Sequence, residues 1–278
     1  MNPYIGKCAL CRLDGQELQD SHFIPAGVYR VTRDESQGNP DPLKICDEGV
    51  FQDSKQVTDF LLCRGCEERL NHNGERWFLA NCFRKTRFSL LAQVEKSTPE
   101  VTYPRMKLYL GSKIPELNIS ALTYFPLSIF WRASVHRWKV NGNDNRGIEL
   151  APYEESIRKF LVGEAPFPAN CVLWVSLPEN LTPIASLSLS PYGGSRGTFR
   201  MYKLLVLGVG FHLLIGKGIP QQQRQLCFVR GAGNPIHRTD MLEDSTIQDM
   251  NLKFTRRPHL LAGPRTYDRG RSRAAKTK

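Results

Sequence analysis

Nothing in this chain is long and apolar enough to cross a bilayer. The most apolar run, Leu204 to Ile215, is about twelve residues long and contains His212, whereas a spanning helix needs about twenty. No membrane partner is expected. The stretch Met1 to Lys7 lacks the apolar region of a secretory leader,. The expected compartment is therefore cytoplasmic, with cysteines held as reduced thiols. No internal repeat is present. Gly193 to Gly197 and Gly208 to Gly210 lack the strand–GxGxxG–helix context and a following Lys-Ser/Thr. They read as turns between strands, not as phosphate cradles.

Acidic residues are scarce at one end. From Lys253 onward nine Lys and Arg residues face Asp268 alone, a balance of +8 in a chain of net charge +11. The arginines there are Arg256, Arg257, Arg265, Arg269, Arg271 and Arg273. Such a segment suits phosphate contacts, so nucleic acid is the expected partner, DNA ahead of RNA. The plainer reading is a solvated, disordered tail that keeps the protein soluble.

What is present in quantity is ordinary. Hydrophobic residues make up 41% and charged residues 23% of 278 positions, enough to bury a core in one large domain or two smaller ones. Four of the eight cysteines stand out, because Cys8 with Cys11 and Cys63 with Cys66 form two CxxC pairs. Each pair supplies two soft ligands from one turn, and together they suit a tetrahedral structural Zn2+. The alternative is free thiols packed as small hydrophobes, which is the reading for Cys46, Cys82, Cys171 and Cys227.

Periodicity sets the expected order of elements. Asp14-Gly15 signals a hairpin turn, and His22-Phe23-Ile24-Pro25 reads as a strand stopped by proline. A helix is expected to open at the second CxxC, with Gly74 kinking or ending it and a helical pattern restarting over 76–94. Residues 117–138 show helical spacing with a broad apolar face, on which Trp131 and Trp138 would sit two turns apart. Both tryptophans read as core, with Arg132 at its rim; a nucleic-acid surface of Arg132, Arg137 and Lys139 is the sharper alternative. Another helix is expected from Pro152 to a cap at Gly163. Short β-type runs follow Pro168, including 226–229, and imply an antiparallel sheet. The expected class is α+β. Its parts are a zinc-stapled module over 1–98, a helical and antiparallel β domain over 99–254, and a basic tail over 255–278.

Here a family resemblance enters. Ser21-His22-Phe23-Ile24-Pro25 resembles the Asp-His-Ile-x-Pro strand of HNH endonucleases. Leu62-Cys63-Arg64-Gly65-Cys66-Glu67 resembles their Leu-Cys-x-x-Cys-His segment, and Cys8 and Cys11 stand where zinc-stapled members carry a first CxxC. The likeness covers roughly residues 5–80 and implies the treble-clef, ββα-metal fold. More loosely, Leu127 to Ser134 with the 152–163 helix looks like a bacterial family of HNH-like proteins with no clear role.

The resemblance implies a chemistry. His22 matches the general base that activates water against a phosphodiester, and Glu67 takes the place of the metal-binding helix histidine. A catalytic Mg2+ or Mn2+ would stabilise the charge on the departing oxygen. Ser21 stands where the family has an aspartate ligand. No asparagine matches the middle residue of the motif; Thr58 or Asp59 falls near it, and Glu75 or Asp59 is a candidate second carboxylate. Asn71-His72-Asn73 reads as a polar helix surface or turn. The implied function is a metal-dependent nucleic-acid endonuclease, by analogy an effector in defence against phage. The alternative is an inactive zinc-stapled module that binds nucleic acid or a protein partner within a larger assembly.

Overall fold

The computed structural model describes residues 3–32, 43–46, 49–52, 56–84, 87–140, 143–144, 147–180, 187–241, 244, 247–248 and 252. Contacts divide the chain into two units, Met1–Thr32 with Gln56–Met241, and Arg33–Lys55 with Leu242–Lys278. The expected boundary between residues 98 and 99 does not coincide with this division. The tail over 255–278, with its six arginines, lies outside the described residues.

The first unit begins with β1 (Tyr4–Gly6), β2 (Gln16–His22) and α1 (Ala26–Val31). The second unit contributes the hairpin of β3 (Leu43–Cys46) and β4 (Gly49–Gln52). The first unit resumes with β5 (Thr58–Cys63) and α2 (Arg64–Leu70), a π-helical turn over Asn71–Glu75, and α3 (Arg76–Asn81). A short hairpin, β6 (Phe83–Arg84) and β7 (Arg87–Phe88), leads to α4 (Ser89–Glu95), β8 (Val101–Tyr103), β9 (Met106–Leu110) and α5 (Ile119–Val135). Then come β10 (Lys139–Val140), β11 (Asn143–Asp144), α6 (Glu154–Val162), β12 (Cys171–Pro178), β13 (Ser188–Arg196), β14 (Phe199–Val206), β15 (Val209–Ile215), α7 (Gln221–Gln225) and β16 (Pro235–Thr239).

Two sheets organise the first unit. The small one has the order β1-β2-β5 and is antiparallel throughout. The large one has seven strands in the order β13-β14-β15-β12-β16-β9-β8. It is mixed, because β12 and β16 run parallel, and this corrects the antiparallel expectation. Residues 226–229 are not a strand; β16, further on, takes the place beside β12. The hairpin of β14 and β15 turns at Leu207-Gly208, both with positive φ (46° and 82°), a conformation that glycine accepts without strain,.

The helices differ from expectation in physically readable ways. Gly74 does not end the helical run, which continues into α3. It lies in the π turn against α5, where a Cβ would stand 2.9 Å from the Phe125 backbone nitrogen. The 76–94 pattern is broken by the β6–β7 hairpin. Along α5 every residue from Ala121 to Ala133 is buried, so this helix is enclosed on all sides despite Pro126 within it. Trp138 lies beyond the end of α5 and shares no helical face with Trp131, yet both are core. Arg132 is not at a rim but 1% exposed. The α6 helix ends as expected, with Gly163 left-handed at φ 82°.

Candidate metal centre

The first CxxC sits in the loop between β1 and β2. Backbone bonds fold that loop tightly: Arg12 N donates to Cys8 O (2.8 Å), Cys8 N to Leu13 O (3.0 Å) and Ala9 N to Leu61 O (3.1 Å). Arg12 adopts positive φ to close the turn. The second CxxC bridges a strand and a helix: Cys63 ends β5 and caps α2, and Cys66 lies in the first helical turn. Strand pairing of β2 with β5 brings the two pairs together.

The Sγ atoms of Cys8, Cys11, Cys63 and Cys66 all lie within 4.8 Å of one another. Four sulfurs about 2.3 Å from one tetrahedral ion stand about 3.8 Å apart, and Cys11 and Cys63 Sγ are 3.9 Å apart. The group is able to hold a metal ion such as zinc. Cys8 and Cys66 are buried, while Cys11 and Cys63 are partly exposed. A cleft of about 360 Å³ opens beside them, lined also by Arg69 and Glu164.

Cys8 is the natural thiolate of the set. A hydrogen bond with Cys66 leads in holding its thiol down at about 4, against burial, with help from the N–H groups of Cys63, Cys11 and Leu10. The same bond pushes the Cys66 thiol up, and burial raises that of Cys63. Elsewhere burial pushes the Cys82 and Cys171 thiols up to about 12. Those two behave as packed hydrophobes, as the sequence suggests. Cys227 is buried too, whereas the side chain of Cys46 lies outside the described residues.

Arg158 of α6 braces the cluster from outside. Its Nη1 donates to Leu10 O at 2.8 Å, between the first two cysteines, and it pairs with Glu155 and Glu164. Arg12 reaches the same Glu155. Glu155 is in turn held below the usual carboxylate range, chiefly by Arg158.

The residues expected to hold a second, catalytic ion mostly have other partners. Ser21 is 1% exposed, and its Oγ accepts a hydrogen bond from Leu62 N at 3.1 Å. Asp59 bonds His136 Nε2 (2.9 Å) and Phe60 N (2.8 Å). Glu75 accepts from Arg132 Nη2 at 2.6 Å. The π turn lies immediately before α3 and carries Glu75 at its end. Register pairs Ser21 with Asp59 and His22 with Thr58. Side chains alternate along a strand, so His22 and Ser21 point to opposite faces.

The His22 carbonyl accepts from Arg132 Nη1 at 2.9 Å. Glu67 lies in the first turn of α2, and its Oε1 is buried without a hydrogen-bond partner. Asn73 lies near Tyr124 of α5, whose hydroxyl donates to Leu161 O at 2.6 Å. Among the described residues, only the four cysteines gather as three or more metal-ligating side chains; His22 and Glu67 join no such group.

Arg132 and Arg158 act as structural keys through partners far away in the chain. A single arginine inside the apolar run Leu127 to Ala133 was the available signal, because a charge there is kept only when it is paired. The chain matches no protein-family model, no curated protein and no solved structure. Among the described residues no helix is long and apolar enough to cross a membrane.

Proposed function

We propose that this protein is a zinc-stapled, HNH-like module of treble-clef type that binds nucleic acid and does not cut it through the family's metal-and-histidine arrangement. The observation that carries this reading is Ser21. It stands where the family places an acidic ligand, and its hydroxyl is committed to the Leu62 backbone. The two carboxylates able to replace it are also engaged, Asp59 with His136 and Glu75 with Arg132. A divalent ion at His22 would have to displace these partners. The zinc is structural, fixing β2 and β5 against α2. Nucleic acid as partner rests on the net charge of +11,.

The test pairs binding with cleavage. Labelled duplex DNA and RNA are titrated at several salt concentrations, and plasmid and RNA are incubated with Mg2+ or Mn2+. Salt-dependent binding without cutting is expected. Deleting residues 255–278 should flatten the salt slope. Cutting that disappears in His22→Ala would overturn the reading.

One observation favours a second reading, the metal-dependent endonuclease. A buried carboxylate oxygen without a partner is costly, and Glu67 Oε1 is one. A hard divalent cation would satisfy it, with His22 as the base. The same cleavage assay decides between the two, with Glu67→Gln as the further variant.

A further inference from the structure

The small sheet has a solvent-facing side. Tyr4 of β1 stacks on Phe60 of β5 across β2, with ring centroids 4.7 Å apart and planes 10° apart. Both rings are exposed, at 55% and 44%. Large aromatic side chains in this state are unusual on a soluble surface unless they meet a partner. Gly6 leaves room for the arrangement, since a Cβ there would stand 3.0 Å from Leu18 Cδ1 and 3.5 Å from a Tyr4 ring carbon. Tyr4 and Leu18 therefore share this face. Register sets Asp20 opposite Phe60 and His22 opposite Thr58, which adds the exposed Asp20 and the partly buried His22 to it.

The charge of the sheet contrasts with that of the chain. On this face its three strands carry Asp20 and no lysine or arginine, with Glu17 and Asp59 on the opposite face, in a protein of net charge +11. A phosphate would meet a carboxylate and no strand cation there. A guanidinium or ammonium is attracted, because an aromatic face stabilises a cation and an adjacent carboxylate pairs with it. We infer that the Tyr4–Phe60–Asp20 face docks a basic, arginine-bearing peptide segment of a partner protein. The arginine stacks on the aromatic pair and its guanidinium reaches Asp20. This surface is separate from the nucleic-acid reading and does not depend on it.

The test uses the full chain and a fluorescein-labelled Arg-Gly repeat peptide, followed by anisotropy at about 0.15 M salt, where long-range charge effects are screened. Phe60→Ala and Asp20→Lys should each weaken binding about tenfold, and Tyr4→Ala about threefold, in the range of a desolvated cation–aromatic contact. Retained zinc content and an unchanged circular dichroism spectrum establish that each variant folds. Asp20→Lys changes an exposed strand position and keeps the test open if an aromatic variant does not fold. A single-stranded DNA oligomer is titrated in parallel. Peptide binding unchanged in both Phe60→Ala and Asp20→Lys overturns the inference. So does loss of DNA binding, rather than peptide binding, in Phe60→Ala, because the rings would then be a platform for bases.

Discussion

In the seven-stranded sheet, β12 and β15 bury nearly every side chain on both faces, and only Trp174 and His212 are partly exposed. In the three-stranded sheet, Tyr4, Ile5 and Phe60 stand in solvent, and β1 has no buried residue at all. The large sheet is stabilised by apolar area removed from water. The small sheet adds only Leu18, Leu61 and Leu62 of its strands to the core, and four cysteines gather where it meets α2. The large sheet is held by packing, whereas the small one has beside it a cysteine cluster able to hold a metal ion, as small metal-bound modules do,.

The sharpest way to break this comparison is to remove the metal. Zinc should be found bound at the cysteine cluster, and a chelator or Cys8→Ser should release it. Hydrogen exchange should then accelerate in β1, β2, β5 and α2 and stay slow in β12, β14 and β15. This is the largest effect expected, because structural zinc contributes on the order of 10 kcal/mol to small folds. Equal loss of protection in both sheets would show that the large one also depends on the metal.

Arg132 ties α5 to the small sheet and the π turn, reaching the end of β2 and Glu75. Arg132→Ala leaves Glu75 unpaired in a site where its side chain is only 14% exposed, and should cost about 3–5 kcal/mol. Urea denaturation measures it. Arg132→Met combined with Glu75→Gln should recover much of the loss, because the penalty is mostly that of the stranded charge.

The large sheet has its own sensitivity, to acid. Burial pushes His237 of β16 down to about 4 from 6.5. The unfolded chain then binds the proton more readily than the folded one between those values. Stability is full above about pH 6.5 and falls as the pH drops towards 4, by on the order of 3 kcal/mol. Melting temperature against pH should show this slope, and His237→Phe should flatten it. The smallest effect belongs to the small sheet: Asp59→Asn weakens the half-exposed pair with His136 and should cost less than about 1 kcal/mol.

How far these features were legible depended on their range. The cap at Gly163, the helix at 119–135 and the apolar strands come from local patterns, and each could be read from neighbouring residues. The mixed character of the large sheet was not, because β16 joins β12 after three intervening strands and a helix. Trp138 shows the same limit. Its spacing from Trp131 fits a helix, but the helix ends at Val135, and Trp138 reaches the core through its bond to the Arg132 carbonyl at 2.9 Å.

The candidate site divides in the same way. By itself the sequence determined the cysteine pairs, since CxxC spacing places two ligands on one turn whatever the rest of the chain does. It also determined the apolar runs and the excess of positive charge. Only the tertiary structure decided which polar groups near His22 are already taken. Ser21 meets Leu62 across 41 positions, Glu75 meets Arg132 across 57 and Asp59 meets His136 across 77. A carboxylate already held by a buried cation or a backbone N–H has less to offer a metal, and that competition is settled by packing between distant segments.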